Sequence, residues 1–513
     1  MINVSKIKLI QNKFRHTTFR SYSAFTSIIS ISKIKSVLIY TILPKFSLLG
    51  SILILPFISP YLTLSDYGTY GIILGYLMVF QMFTVLGQNV VLQNSFFEYK
   101  HHYFRVWQRS LGIMVLSGFL TSGIFALLIY FTLIKTIGHP WFWVILSSSL
   151  FLIFSPVEQV VTIYYTLKQK PIPLSVGALV AGILTTLTAL ITIKYFKIGY
   201  LGWIIALPMT NLVNCLFFFR RLVILEKIYP RLWIKKSFFI RAIRIGLPLT
   251  PHQISLYVIS VSDRLLLSYF KIPLTQIGYY IQGYSMGSGG SILTTGIFST
   301  FAKNIQESFR GKTDADRFFI RKALIFIPIS IAACLFLAAL WSKEIFSFLF
   351  KSKELAQSYP IAIIVFSGLM FNPIYSFFTY PLSINNQTFA ISKITMMAAI
   401  FNILANIALI PYYGIWATAC TTYISFLIMG MAGLLNRENR LFFMQYLNID
   451  KLCLSLLILY LFLFGLAYFS KEFHPVIKLG YTFFLGIALL LFSKIMLTRY
   501  LHKLPSDEPL PNL

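Results

Sequence analysis

Ser65-Asp66-Tyr67-Gly68-Thr69-Tyr70 and Thr275-Gln276-Ile277-Gly278-Tyr279-Tyr280 decide the reading of this chain. Each follows an apolar segment opened by Leu-Pro, at Leu43-Pro44 and at Leu247-Pro248. Gly68 and Gly278 lie 210 residues apart. A second pair of landmarks, Gly199-Tyr200-Leu201-Gly202 and Gly414-Ile415-Trp416-Ala417, returns at an offset of 215. Short Gly-Tyr matches can arise by chance in an aromatic-rich chain, but here order, spacing and position agree. The chain reads as a duplicated unit.

What is duplicated follows from composition. Of 513 residues 57% are hydrophobic and 12% charged, with a mean hydropathy of +0.76. Soluble domains carry about 25% charged residues, so soluble and disordered classes are excluded. The apolar residues come in blocks of the length a helix needs to cross a bilayer. Fourteen spans are predicted, near 38–61, 70–93, 111–134, 141–167, 173–194, 200–219, 246–269, 278–301, 323–342, 359–382, 392–411, 415–435, 452–469 and 477–497. Lys and Arg number 44 against 15 Asp and Glu, a net charge of +29. In a soluble protein that excess would suggest nucleic acid; here it marks topology. With the N-terminus inside, inner segments hold 33 of the 44, outer loops nine, and Lys45 and Arg264 lie within spans. The bias predicts that both termini are cytoplasmic.

The expected fold class is an all-α polytopic membrane protein of about 14 transmembrane helices. Two parallel six-helix lobes are followed by two C-terminal helices, and a substrate pathway between two such lobes is common in transporters. The predicted divisions are a basic cytoplasmic segment 1–37, the first lobe 38–219, a basic cytoplasmic linker 220–245, the second lobe 246–435, two extra spans in 452–497 and a cytoplasmic tail 498–513. The outer loops are short, leaving no room for an extramembrane catalytic domain. Walker A, HExxH and GxSxG signatures with partners are lacking, so ATP-driven export by this chain alone is not expected; no covalent chemistry and no cofactor are expected either. Cys215, Cys334, Cys420 and Cys453 sit in apolar blocks without a CxxC pair, which points to packing and not to a metal site.

Ser65-Asp66-Tyr67-Gly68, Leu86-Gly87, Gly246-Leu247-Pro248, Asp263-Arg264 and Ile277-Gly278-Tyr279-Tyr280 together resemble the polysaccharide and O-antigen flippase family. So does Asn402-Ile403-Leu404-Ala405-Asn406 followed by Ile410-Pro411-Tyr412-Tyr413-Gly414. That family belongs to the MOP exporter superfamily, with the MATE exporters and lipid II flippases. The resemblance spans residues 38 to 435, and implies two six-helix lobes around a central cavity that move lipid-diphosphate-linked oligosaccharide from inner to outer leaflet. The chain departs from many relatives at Asn94, where they carry Arg, and in its long basic N-terminal tail.

Charges inside spans cost about 2.5–3.5 kcal/mol on insertion scales, so each is a candidate. Lys45 and Arg264 are candidate ligands of the diphosphate; the alternative is snorkelling to an interface. Asp263 points about 100° away from Arg264, so the two do not simply pair, and Asp263 is expected to bind a neighbouring helix. Glu158, beside the helix-breaking Pro156, is a candidate for ion coupling, as is Asp263; a structural partner for a buried base is the alternative for Glu158. His252 is a weaker titrating candidate. Tyr164, Tyr165, Tyr279, Tyr280 and Tyr284 read mostly as interfacial-belt residues. The small residues of 283–291 suit tight packing or a bend.

The expected function is translocation of polyprenyl-diphosphate-linked oligosaccharide across a bacterial inner membrane, coupled to H+ or Na+. Expected partners are that substrate, membrane lipid and polysaccharide assembly proteins, without nucleic acid. Two rivals remain: a MATE-type cation-coupled drug exporter, disfavoured by the balance of basic and acidic residues in the spans, and a membrane-embedded polysaccharide polymerase, disfavoured by the short outer loops.

Overall fold

The computed structural model describes residues 50, 52–99, 102–133, 140–168, 170–246, 250–311, 313–385 and 387–487. Among them the regular secondary structure is all helical, which pairs most backbone groups within their own segment, as a bilayer requires. Lobe one contains α1 (Leu55–Ile58), α2 (Leu64–Val85), α3 (Gln88–Glu98), α4 (Tyr103–Leu128), α5 (Trp141–Leu167), α6 (Pro171–Leu190) and α7 (Tyr200–Phe219). The connector carries α8 (Lys236–Gly246). Lobe two contains α9 (Thr250–Tyr269), α10 (Leu274–Ser288), α11 (Ser291–Arg310), α12 (Asp314–Leu340), α13 (Ser342–Leu349), α14 (Lys353–Ala356), α15 (Tyr359–Leu369), α16 (Asn372–Ile384), α17 (Thr388–Tyr413) and α18 (Ile415–Met431). Beyond it lie α19 (Arg437–Met444), α20 (Ile449–Phe469) and α21 (Pro475–Ile487).

Ten described segments are long and apolar enough to cross a membrane. The other expected spans correspond to 38–61, most of which lies outside the described residues, to the polar α9, to the α10–α11 pair and to α21, a shorter apolar helix. Besides the α15–α16 pair, which parts at Met370-Phe371, two crossings are broken where the sequence suggested one run. α2 starts at Leu64, six residues before expected, because Thr63 and Asp66 form a capping box that satisfies the first free amides. It ends at Leu86 and Gly87, both left-handed with φ of 48° and 67°, and α3 continues the crossing. The other pair, α10 and α11, parts at Gly289-Gly290. Gly246 closes α8 and does not open α9, which starts at Thr250.

The lobes meet on the repeated glycines themselves. A Cβ on Gly278 would lie 1.7 Å from the Leu64 carbonyl oxygen, and one on Gly68 would lie 2.3 Å from the Leu274 carbonyl oxygen. Leu64 and Leu274 are again 210 residues apart, so the contact is its own mirror. Only hydrogen fits there, and the two backbones touch. Below this crossing Gly71 packs on Ile281 and Gly75 on Leu265 and Val261. The other landmarks close the same end. Asp66 accepts from the Tyr200 amide at 3.0 Å beside Gly199, and Gln276 lies beside Gly414. Gly199 and Gly414 share nearly one backbone conformation, φ/ψ of 56°/−134° and 55°/−131°.

Other long-range contacts separate into two ends. At the Gly68 end Ser59 accepts from the Lys351 amide at 3.2 Å. There too Lys478, fully buried, grips both Glu344 oxygens at 2.7 and 2.9 Å, while Glu472 accepts from Lys343 and Tyr359. These contacts hold α20–α21 to lobe two. At the opposite end Arg440 pairs with Asp450, and Phe309 packs on Phe443. Each contact joins segments that the span count puts on one face.

Candidate functional site

The seam between the lobes holds the buried charges of α9. Asp263 is fully buried, and Arg264 is 6% exposed. Asp263 Oδ1 accepts from the Arg264 backbone amide at 2.8 Å, and Oδ2 accepts from the Tyr280 hydroxyl of α10. The carboxylate is therefore held by a neighbouring helix, and no ion pair joins the two side chains among the described residues. The Arg264 guanidinium lies over the Tyr284 ring, 5.2 Å from its centroid. On the lobe-one side of the seam Tyr70 packs on Trp203 at 5.0 Å.

Arg264 Nε is buried without a hydrogen-bond partner. A desolvated cation–π contact contributes about 2 kcal/mol. That offsets only part of the insertion cost given above, and it leaves planar donors unfilled. A bidentate anion is the ligand such a fork satisfies best. Four of the five tyrosines read as belt residues, Tyr164, Tyr165, Tyr280 and Tyr284, are buried in the protein. Tyr279 donates to the Gln357 carbonyl at 2.6 Å.

Lobe two also contains a polar network. Asn402 Oδ1 accepts from Ser262 at 3.1 Å and from Asn406 Nδ2 at 3.2 Å, and Asn406 Oδ1 accepts from Thr421 at 2.7 Å. It ties α9, α17 and α18 together one residue from Asp263. His252 Nδ1 lies 3.1 Å from Thr395 Oγ1, near the other end of the same helices. Asn402 and Asn406 carried the family resemblance without being assigned a role. Two asparagines four residues apart in an apolar run, hence on one helix face, were the available signal.

In lobe one, Glu158 is half-buried in α5. The carbonyl that Pro156 would leave unpaired, that of Leu152, accepts from the Ser155 hydroxyl at 3.1 Å. Lys45 lies outside the described residues. Asp263 and Arg264 share one seam in lobe two, and Glu158 is on the other lobe.

A cluster at the end opposite Gly68 was not legible in the sequence. Glu226, just past α7, accepts from Tyr164 at 2.5 Å, Tyr103 at 3.1 Å and Arg221 at 2.8 Å. Lys168 lies over the Tyr103, Phe96 and Tyr164 rings at 5.5–5.7 Å. Burial pushes the Glu226 pKa up, but the hydrogen bonds from Tyr164 and Tyr103 and the Lys168 and Arg221 cations outweigh it and hold the carboxyl below its usual range.

No family model matches the sequence, and no curated protein matches it. Solved structures match over most of its length. The lipid II flippase MurJ in an inward closed conformation is similar at a TM-score of 0.59 and 16% identity, over 92% of this chain and 100% of that one. A multidrug resistance MATE family transporter of the MOP superfamily, inward-facing, is similar at 0.56 and 12%, over 81% and 96%. A Vibrio cholerae MATE transporter, VcmN, in a mutant form is similar at 0.53 and 15%, over 79% and 96%. With Gly68 and Gly278 meeting backbone to backbone, this chain has the fold of these solved transporter and flippase structures.

Proposed function

We propose that the chain is a flippase for a polyprenyl-diphosphate-linked oligosaccharide, carrying the headgroup between two lobes by alternating access. The observation that carries the reading is Arg264: a buried guanidinium at the lobe seam, stacked on Tyr284 and, among the described residues, without a carboxylate in ion-pair distance and with Nε unfilled. Lys45 is its proposed companion cation, and Glu158 and Asp263 are the proposed ion-coupling carboxylates. The match to a lipid II flippase over 92% of the chain supports a lipid-linked substrate. Closure at the Gly68 end, with the charge distribution placing that end outside, supports an inward-facing state in a bacterial inner membrane.

Transport direction follows from charge. A diphosphate carries roughly two negative charges, and each gains about 2.3 kcal/mol per 100 mV in moving from a negative cytoplasm outward. Arg264→Ala should abolish surface polysaccharide at unchanged protein level, while Arg264→Lys should rescue it partly, since a point charge lacks the fork. Full activity of Arg264→Ala would refute the anion site. Orientation is checked separately, in a background lacking the four native cysteines. Tyr229→Cys should react only from the cytoplasm and Lys353→Cys only from outside.

The second reading, a MATE-type exporter, is favoured by the MATE transporters among the matching structures. It predicts that loss of the chain sensitises cells to organic cations and leaves lipid-linked sugar levels normal.

A further inference from the structure

The connector between the lobes, residues 226–246, is strapped onto lobe one. Beyond the Glu226 cluster, Gln108 Nε2 donates to the Lys227 carbonyl at 2.7 Å, and the Arg231 amide donates to the Gln108 carbonyl at 3.0 Å. A Cβ on Gly112 would lie 2.0 Å from the Arg231 carbonyl oxygen, and Gly246 rests against Gly87. Arg109 sits over the Phe238 ring at 5.3 Å. One side of the strap is thus used up in packing.

The other side has an unusual composition. Residues 227–246 contain Lys227, Arg231, Lys235, Lys236, Arg241 and Arg244, all exposed, and no acid. Interleaved with them, Trp233 is 86% exposed, and Leu232 and Ile240 are exposed as well. The strap begins one residue past the crossing Tyr200–Leu225, so it lies at the depth of the headgroups. A lone Trp beside cations at that depth fits an anionic lipid surface, with the indole at the boundary of the acyl chains and the cations among the phosphates.

We infer that residues 227–246 form a docking surface for anionic phospholipid, which fixes lobe one against its leaflet while lobe two moves. Six cations against no acid provide the charge complementarity, and the backbone bonds to Gln108 hold the surface in a fixed shape. The surface is separate from the Arg264 seam, and its test is independent of what the protein transports.

The test uses the full chain in vesicles of dibrominated phosphatidylcholine, with and without dibrominated phosphatidylglycerol. The bromines quench a nearby indole, and the signal of Trp233 is the difference between the wild type and Trp233→Phe. Quenching of Trp233 should be about twofold greater with phosphatidylglycerol and should fall to the phosphatidylcholine level in high salt. The Lys235→Gln, Lys236→Gln, Arg241→Gln, Arg244→Gln quadruple variant should behave as the wild type does in high salt. Should that variant fail to fold, salt titration of the wild type still decides. Equal quenching in both lipids, indifferent to salt, would overturn the anionic claim. An unquenched Trp233 would overturn docking altogether and assign the surface to water or a protein.

Discussion

The two lobes repeat one scaffold and differ in what they bury. Both present a glycine to the seam, Gly68 and Gly278, and both turn through a left-handed glycine, Gly199 and Gly414. Around that frame, Asp66 of lobe one is replaced at the matching position by Gln276, so the capping carboxylate has no counterpart. Lobe two holds Asp263, Arg264, Asn402 and Asn406 in its buried interior. At the far end of lobe one, a carboxylate and a cation of the linker, Glu226 and Arg221, cluster with Lys168. The two halves share the residues that set backbone approach and differ elsewhere. Contact geometry is shared; electrostatics is specialised.

That contrast can be broken in several places. The largest effect is expected at the shared seam. Gly278→Ala and Gly68→Ala each place a methyl against a backbone carbonyl and should cost about 3 kcal/mol, read as a lower apparent Tm of the purified protein. Gly465→Ala, with nothing within 4 Å of the new Cβ, is the control and should leave Tm unchanged. If only one seam glycine proves sensitive, the symmetric contact is wrong. Next comes lobe two's interior. Asn402→Ala strands Ser262 and Asn406 and should cost about 1–3 kcal/mol. The lobe-one pair Thr84 and Thr121, with hydroxyls 2.9 Å apart, should lose about 1 kcal/mol on Thr84→Val.

The smallest effect concerns Glu226. Its folded pKa is depressed, so the stability it adds is complete above its unfolded pKa and is lost as pH falls through the lower folded value. Amide exchange in residues 227–235 should be protected and flat with pH above the usual carboxylate range, once corrected for intrinsic rates. It should rise in acid. Glu226→Gln should show the raised exchange at all pH values.

The crossings and the repeat were legible in the sequence because both rest on local composition: apolar runs of membrane length, and glycines at a fixed offset. The small residues of 283–291 likewise declared both their uses, Gly283 and Gly287 packing on Ile361 and Val365, and Gly289-Gly290 making the break. What stayed hidden depends on how helices face one another. The break at Leu86 needs a left-handed leucine, which no propensity favours. Tyr280 as the partner of Asp263 depends on the register between α9 and α10, and Glu226 meets Tyr103 across 123 residues of chain. Arg264 could be named as a charge in a span, but only the packing reveals that Tyr284 stacks on it and that Nε is left unfilled.

The central claim is that Arg264 holds the diphosphate of a lipid-linked sugar. Its most direct test is flipping of a fluorescent polyprenyl-diphosphate oligosaccharide in vesicles reconstituted with equal amounts of wild type, Arg264→Lys and Arg264→Ala. The account predicts wild-type transport that slows when the membrane potential is collapsed, partial transport by Arg264→Lys, and the rate of protein-free vesicles for Arg264→Ala. Wild-type flipping by Arg264→Ala, or no flipping by the wild type alongside efflux of an organic cation from the same vesicles, would contradict it.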